Sequence, residues 1–387
     1  MKVRVNASTK PGFKLPVEDA MLMSGHAAGI CYMRNDYDSI ANEPVERTMK
    51  RANGTIKSKH HSTSGHASYV LLFERMPKII AMLLNNEKDY NTSEKSARYT
   101  VMETSGEEKR IYEKWTTKFE ELIAQKYPQI NEATRKKLAL ENARYFISVF
   151  TPATDMEYTA DFRQINYMIG FCKKMLLEAD RKNPFMQKML PYVAELEQLL
   201  RSVCNVEGLR DGKGRRFSLF TEDTRTEYFG DVYSVNYLAS FAQLAQAQRH
   251  RTLWYEMQIP DLDDCAFFVP PIIGDDDIEL RAEYLHDMAT LKENFPQGML
   301  VHVNERGPLE AFALKCHERL CGAAQLEICL RTQETLDRYI SNAVSNGYHD
   351  VYLELEPFAN KTKCQFGHYR CDRPCPLGPQ HAFDRLI

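Results

Sequence analysis

The same local pattern occurs twice along this sequence: an apolar strand-like run that leads directly into an apolar helical run. The first copy covers residues 69–84 (YVLLFERMPKIIAMLL), where Pro77 suits the first turn of a helix, and the second covers residues 228–244 (YFGDVYSVNYLASFAQL). Stretches with helical periodicity follow each copy, at an offset of roughly 160 residues. This order predicts an internal duplication, and the alternative is a pair of unrelated α+β domains.

A linker is predicted at residues 206–217 (VEGLRDGKGRRF), because three glycines and several charged side chains fall within this short span. We therefore expect a first repeat with an N-terminal extension at residues 1–208 and a second repeat with a cysteine-containing tail at residues 217–387. The predicted fold class is α+β, each repeat having a small mixed or antiparallel sheet and long helices. Helical periodicity is present at residues 107–127, 132–149, 162–204, 278–294 and 309–346, whereas residues 1–60 have a loop-rich pattern.

Composition narrows the classes of function. The chain has 387 residues, 43% of them hydrophobic and 27% charged, with a net charge of −3. This near-neutral balance provides no field that favours nucleic acid or an anionic membrane surface. The sequence has no run of about 18 apolar residues, and its N-terminal segment lacks the apolar core of a secretory signal. We therefore expect a cytoplasmic protein that binds neither nucleic acid nor membrane.

A possible phosphate clamp follows the first apolar pair of elements. Residues 92–99 (TSEKSARY) contain Ser96 and Arg98, which point to the same side if this stretch is extended. A hydroxyl beside a planar guanidinium suits phosphate binding. The alternative is a polar loop that caps a helix.

A compact basic motif, Arg249-His250-Arg251, follows the second apolar helix. Two guanidiniums beside an imidazole are costly to bury without an anion, so the motif favours a phosphate, a pyrophosphate or the edge of a flavin ring. The alternative is a solvated basic helix end that the helix dipole stabilises.

Three imidazoles precede the first strand, in His60, His61 and His66. They indicate hydrogen bonding or stacking against a ring ligand, or else an exposed histidine cluster. Zinc is less well supported, since no cysteine or carboxylate completes a ligand set nearby.

Together these segments resemble the flavin-dependent thymidylate synthases. That family carries a histidine-containing segment before a strand, then Arg-His-Arg after an apolar helix, and shortly afterwards a Ser, a Glu, a Ser and Arg-Tyr. The first half of this chain keeps His61, His66 and Pro77, and the tail survives as Glu94, Ser96, Arg98 and Tyr99, whereas Asn86, Glu87 and Lys88 replace Arg-His-Arg. Arg144 resembles an arginine of the family that contacts dUMP.

The second half resembles the family in the complementary elements. It keeps Arg249, His250 and Arg251, and Arg319 precedes an Ala-Gln-x-Glu-Ile helix at residues 324–328. Ile259, Asp261 and Leu262 replace its Ser/Arg-Tyr tail, while Cys172 stands at the position of Arg319 in the first half. Family members are homotetramers whose sites combine several subunits. The complementary losses therefore predict a composite site in a fused chain and a homodimer that mimics the tetramer.

The resemblance implies reductive methylation of dUMP to dTMP, with FAD, NADPH and methylenetetrahydrofolate, a folate, as cofactors and co-substrate. It implies that Glu94, Ser96, Arg98 and Arg144 bind the nucleotide. Arg319 is the predicted catalytic residue, which contacts the uracil and stabilises charge on it. The flavin is assigned to His61, His66, Arg249, His250 and Arg251.

Other functions are compatible with the same residues. The alternatives are a degenerate flavin- or nucleotide-binding homologue without catalysis, and transfer of a different one-carbon group to a pyrimidine nucleotide. A basic-helix module for nucleic acid, using Arg249 and Arg251, is disfavoured by the acidic net charge.

The tail contains a separate cysteine cluster that is not a feature of the family. Cys364, Cys371 and Cys375, with His368 between them, would suit tetrahedral zinc or an iron–sulfur cluster. The spacing is not that of paired CxxC motifs, so free thiols in a Pro/Gly-rich tail are the alternative.

Overall fold

The computed structural model describes residues 11–31, 33, 37–210, 215–367, 369, 371, 375, 377 and 383–387. Its helices are α1 Val17–Ile30, α2 Asp38–Ala41, α3 Val45–Lys57, α4 Lys78–Asn85, α5 Gly106–Lys126, α6 Glu132–Ala143, α7 Phe162–Glu178, α8 Pro184–Val203, α9 Phe241–Ala247, α10 Ile278–Thr290, α11 Leu309–Arg319, α12 Leu326–Asn346 and α13 His349–Leu355. Its strands are β1 Ser68–Pro77, β2 Tyr90–Glu94, β3 Pro152–Asp161, β4 Tyr228–Phe229, β5 Val232–Ser240, β6 Trp254–Met257 and β7 Leu300–Pro308.

The first sheet has the antiparallel order β1-β3-β2, with Ser68 opposite Asp161 in one pair and Tyr90 opposite Ala160 in the other. Pro77 ends β1 and is the N-cap residue of α4, with φ −62°. A proline at a helix start loses no helical hydrogen bond, so the chain turns directly from strand to helix. Every α4 residue after Lys78 is buried, and this places the C-terminal end of α4 deep in the fold.

The second sheet has the antiparallel order β4-β5-β7-β6, with Ser240 opposite Leu300 and Trp254 opposite Arg306. Ser240 ends β5 and caps α9, since its Oγ accepts a hydrogen bond from the backbone N–H of Gln243 at 3.0 Å. The short helix α9 ends at Ala247, and Arg249 follows two residues later.

Both halves share one order of elements: strand, helix, strand, an interval with helices, strand, helix, helix. The strand after that interval is central in both sheets: β3 lies between β1 and β2, and β7 lies between β5 and β6, with β4 added beside β5. The halves meet through a reciprocal pair of backbone hydrogen bonds, from Val149 N to Phe295 O at 3.0 Å and from Gln297 N to Ile147 O at 2.8 Å. The α+β class is confirmed, while the tandem duplication and its boundaries stay predictions.

The hydrophobic core runs across the boundary between the halves. One cluster of buried side chains includes Tyr69, Phe171, Tyr233 and Phe312, which come from both sheets and their helices. A second cluster joins α5 and α6 to α10, and Trp115 there donates its indole N–H to Asp287 at 2.7 Å. Burial of apolar surface therefore fixes the two halves relative to each other.

The prediction for residues 1–60 was wrong, because α1, α2 and α3 lie within this segment. Helix α1 is rich in Ala and Gly and has no single apolar stripe, so periodicity gave no signal. Its small residues serve close packing: a Cβ added to Gly25 would lie 2.4 Å from the Thr48 carbonyl oxygen. Among the described residues, no helix has both the length and the apolar character needed to cross a membrane.

Candidate functional site

A pocket of about 210 Å³ lies between the two halves of the chain. It is bounded by the segment after β2, the segment after α6, the helix α9 and the end of α11. Six residues that the sequence predicted to bind substrate or cofactor line it together: Glu94, Ser96, Arg98, Arg144, Arg249 and Arg319. Four come from the first half and two from the second, so neither half forms this pocket alone.

The pocket has a large excess of positive charge. Among the described residues that line it, six are cationic and one, Glu94, is acidic. The Glu94 side chain is 3% exposed and accepts a hydrogen bond from Lys78 Nζ at 2.6 Å, while Arg249 Nη2 lies 3.9 Å from its other oxygen. One carboxylate cannot neutralise the remaining cations, so the pocket favours an anionic ligand.

Arg144 is the most direct indication of a ligand. It follows α6 and is only 6% exposed. Within the described part of the chain, neither Nε nor Nη2 of Arg144 has a hydrogen-bond partner, although both atoms are buried. A guanidinium with two buried donor atoms that lack acceptors is costly, and a bound anion would supply those acceptors.

Arg98 is held rigidly from both halves. Its Nε donates to Glu141 Oε2 at 2.7 Å, and its Nη2 donates to the carbonyl oxygen of Ala323 at 3.0 Å. Burial acts against the charged form, but the Glu141 carboxylate outweighs it and raises the pKa of Arg98. The Ser96 hydroxyl accepts a hydrogen bond from the backbone N–H of Arg98 at 3.3 Å, and this bond orders the loop that contains both residues.

Arg319 is oriented by residues of the second half. Its Nε donates to Nε2 of His250 at 2.7 Å, and its Nη2 donates to the carbonyl oxygen of Gln246 at 3.4 Å. Burial lowers the pKa of Arg319, and the nearby cations Arg98 and Arg249 act in the same direction. An anion in the pocket would relieve this repulsion.

His250 lies behind Arg319 and does not line the pocket. Burial, with the charges of Arg319 and Lys315, lowers the pKa of His250 from 6.5 to about 2. The imidazole is therefore neutral at physiological pH and accepts the Arg319 hydrogen bond. Farther into the core, Lys315 Nζ donates to Glu305 Oε2 at 2.5 Å, and both side chains are fully buried.

Arg251 binds to the first half of the chain and does not line the pocket. Its Nη1 donates to Asn91 Oδ1 at 3.2 Å, and its guanidinium lies 5.0 Å from the ring centre of Tyr90. The three residues of the basic motif thus have three different environments: Arg249 lines the pocket, His250 lies behind Arg319, and Arg251 contacts β2.

The two predicted flavin-binding histidines lie away from the pocket. His61 is buried, with Nδ1 3.0 Å from the hydroxyl of Tyr167, and His66 is exposed. Within one chain, then, only Arg249 of the five predicted flavin residues lines the pocket. The flavin-binding role of the other four stays a prediction.

A comparison with known protein families gives a match within the first half of the chain. A family model described as thymidylate synthase complementing protein matches residues 18–173. Over these residues, the chain is similar to that family. The resemblance to flavin-dependent thymidylate synthases is thereby confirmed for this region, and a thymidylate synthase-like role follows from it. Neither a curated protein nor a solved structure matches the chain.

The region that matches the thymidylate synthase complementing family supplies Glu94, Ser96, Arg98 and Arg144 to the pocket. Arg249 and Arg319 lie beyond the match. The resemblance of the second half to the same family therefore stays a prediction.

The cysteine tail gives no support to a metal site. Cys364 is exposed, and its Sγ lies 3.2 Å from the Thr362 hydroxyl. His368 lies outside the described residues, and its role as a ligand stays a prediction. Among the residues that the structure describes, no three His, Cys, Asp or Glu side chains form a group that could hold a metal ion.

Several pocket residues were not predicted from the sequence, notably Lys78, Lys95, Gln246 and Gln297. Gln246 precedes Arg249 by one helical turn, so that spacing could have identified it. The others carry no local signal, since they reach the pocket from a helix start, a loop and a segment before β7.

Proposed function

We propose that this chain catalyses the flavin-dependent reductive methylation of dUMP to dTMP, with methylenetetrahydrofolate as carbon donor and NADPH as reductant. The observation that carries the proposal is the convergence of Arg98, Arg144 and Arg319 on one pocket, from positions far apart in the sequence. The similarity of residues 18–173 to the family supports the reaction class, and the charge of the pocket suits a nucleotide monophosphate.

The described residues fit the two ends of such a nucleotide. Arg144 has free, buried donors for phosphate oxygens, and Arg249 adds a second guanidinium that is one-third exposed. Arg319 is fixed by His250, and a fixed guanidinium can stabilise negative charge that develops on a pyrimidine ring. In this proposal Ser96 and Arg98 order the loop that covers the nucleotide.

FAD fits the single chain only in part, because His61, His66, His250 and Arg251 do not reach the pocket. When bound, FAD supplies the hydride chemistry. The chain's own contribution is to bind and orient dUMP and to exclude water from it. In the proposed homodimer, residues of a second copy approach the pocket and complete the flavin site. NADPH and the folate are assigned no residues.

We also propose that the two halves arose by duplication. Their common order of elements and their reciprocal backbone contacts support this origin. The complementary loss of motifs supports it as well, since the pocket takes one set from each half.

A second candidate is a homologue that binds a pyrimidine nucleotide without making dTMP. Two observations favour it. Four of the five predicted flavin-binding residues do not line the pocket. In addition, Arg98 and Arg319 already donate hydrogen bonds within the protein, to Glu141 and His250.

Equilibrium binding of dUMP tests the proposal directly. Arg144→Met should weaken dUMP binding at least about tenfold, because charged hydrogen bonds to the phosphate are lost. Arg110→Met is the matched control, since Arg110 is an exposed surface residue that pairs only locally with Glu107. Equal dUMP affinity in both variants would contradict the assigned site.

Two further measurements separate the candidates. Flavin absorbance of the purified protein, with and without dUMP, tests for the cofactor. Rescue of a thymidine auxotroph tests for dTMP synthesis. Tight dUMP binding without flavin and without rescue would favour the non-catalytic homologue.

A further inference from the structure

Each pocket residue of the second half has a counterpart in the first half, defined here as the residue at the same position of the same element. Backbone hydrogen bonds establish the pairing. Ile79 N donates to Val149 O at 2.9 Å, and Ala242 N donates to Gln297 O at 3.0 Å, each at the start of the helix that follows the first long strand. Ile79 is therefore the counterpart of Ala242, and Val149 is the counterpart of Gln297.

Small residues in the pocket have bulky counterparts. Ala242 and Ala245 lie on the face of α9 that lines the pocket. Their counterparts on α4 are Ile79 and Met82, which are 0% and 1% exposed. The extra side-chain atoms of Ile79 and Met82 fill a region beside α4. The corresponding region beside α9 is open.

Two polar residues in the pocket, Gln246 and Arg319, have apolar counterparts. Leu83 stands in the place of Gln246, and Cys172 stands in the place of Arg319; both are fully buried. Burial also raises the pKa of the Cys172 thiol, which keeps it neutral. Because Cys172 replaces Arg319, the counterpart region lacks this guanidinium and its attraction for an anion.

Aromatic rings fill the remaining space. Phe295 is the counterpart of the pocket residue Ile147, as the reciprocal bonds between the halves show. Its ring centre lies 5.1 Å from that of Phe185 and 5.8 Å from that of Phe150. This cluster belongs to the main hydrophobic core.

An internal anion lies behind the counterpart region, as His250 lies behind the pocket. Glu87 stands in the place of His250, and its side chain is 1% exposed. The carboxylate accepts hydrogen bonds from the backbone N–H of Ser218 at 2.9 Å and from Arg215 Nη2 at 2.5 Å. The segment that joins the halves thus covers the C-terminal end of α4, where Arg215 neutralises the charge of Glu87.

We propose that each chain has a single anion-binding pocket, and that its counterpart has been converted into the hydrophobic core that joins the halves. Ala242 and Ala245 are the residues that keep the working pocket open. The identity of the ligand, dUMP, rests on the proposed function, whereas the contrast between an open and a filled region does not.

Thiol accessibility tests the contrast without a ligand. The folded variants Ala245→Cys and Met82→Cys are each exposed to methyl methanethiosulfonate, and labelled peptides are quantified by mass spectrometry. The thiol introduced by Ala245→Cys lines the open pocket and should react at least about 100-fold faster than the thiol introduced by Met82→Cys, because solvent reaches only the former. Native Cys172 is the internal control and should stay unlabelled until the chain is unfolded.

Binding provides the second arm. The wild-type chain should bind one dUMP, and inorganic phosphate or dUMP should slow labelling of Ala245→Cys. The variant Ala245→Met should fold with an unchanged or higher melting temperature and lose this binding. Labelling of Met82→Cys within about tenfold of Ala245→Cys in a folded variant, or two dUMP per chain, would overturn the proposal. If dUMP does not bind at all, the proposed function fails, and the labelling ratio still decides this inference.

Discussion

Removing the titration of His250 should flatten the dependence of stability on pH. In the folded chain, burial and the neighbouring cations Arg319 and Lys315 lower the pKa of His250 to about 2, from an ordinary value of 6.5. The unfolded chain therefore takes up a proton at this residue that the folded chain does not bind. The contribution of His250 to the free energy of unfolding is complete above its unfolded-state pKa of 6.5. It is lost progressively as the pH falls below that value.

The expected magnitude follows from the distance between the assay pH and the unfolded pKa. At pH 5 the assay lies 1.5 units below the unfolded pKa of 6.5, and each unit corresponds to about 1.4 kcal/mol. Almost none of this loss is present at pH 7. The wild-type chain should therefore lose about 2 kcal/mol of unfolding free energy through His250 between pH 7 and pH 5.

The assay compares urea unfolding of the wild type and His250→Gln at pH 7 and pH 5. Gln keeps an acceptor for Arg319 but does not titrate, so the stability difference between the two proteins should change by about 2 kcal/mol between these pH values. His286→Gln, at an exposed position of α10, is the matched control. Parallel stability profiles for wild type and His250→Gln would refute the assignment of a buried, neutral imidazole.

The other predictions concern buried charges at and near the site. Glu305→Gln should lower the free energy of unfolding by about 3–5 kcal/mol, because it removes the negative charge that pairs with the buried Lys315. Adding Lys315→Met to Glu305→Gln should restore most of that loss in urea unfolding, since Gln still offers hydrogen bonds to the hydroxyls of Tyr233 and Tyr237. Asp287→Ala should cost about 2–3 kcal/mol, since the indole N–H of Trp115 loses its acceptor, and a change below about 0.5 kcal/mol by calorimetry would contradict it. Arg144→Met should leave the unfolding free energy unchanged or higher while it weakens dUMP binding, and a large loss of stability would show that Arg144 has a structural role instead.

Local patterns predicted the regular elements well. The helix expected at residues 107–127 is α5, Gly106–Lys126, and the two strand-helix units are β1 with α4 and β5 with α9. The prediction of α5 succeeded because this helix buries one face, which imposes a period on its own sequence. The helices α4 and α9 are buried almost all round and were predicted from their apolar runs. Helix α1 was missed because small residues on several sides give no such period.

The pocket was predicted in part. The motifs identified Glu94, Ser96, Arg98 and Arg144 in the first half, since hydroxyl and guanidinium groups at short spacing have recognisable chemistry. They did not show that His250 would lie behind Arg319, nor that Arg251 would contact Tyr90.

The sequence alone determined the α+β class, the sites of the strands and helices, and the residue types that can bind a nucleotide, because these depend on neighbours within a few turns. Tertiary structure alone decided which of those residues meet. His250 and Arg319 are 69 residues apart, and Arg98 reaches a carbonyl 225 residues away. Such contacts depend on how two halves bury their apolar surfaces against each other, and no local pattern encodes that arrangement. The same burial left one pocket open beside two alanines and filled its counterpart with Ile79 and Met82.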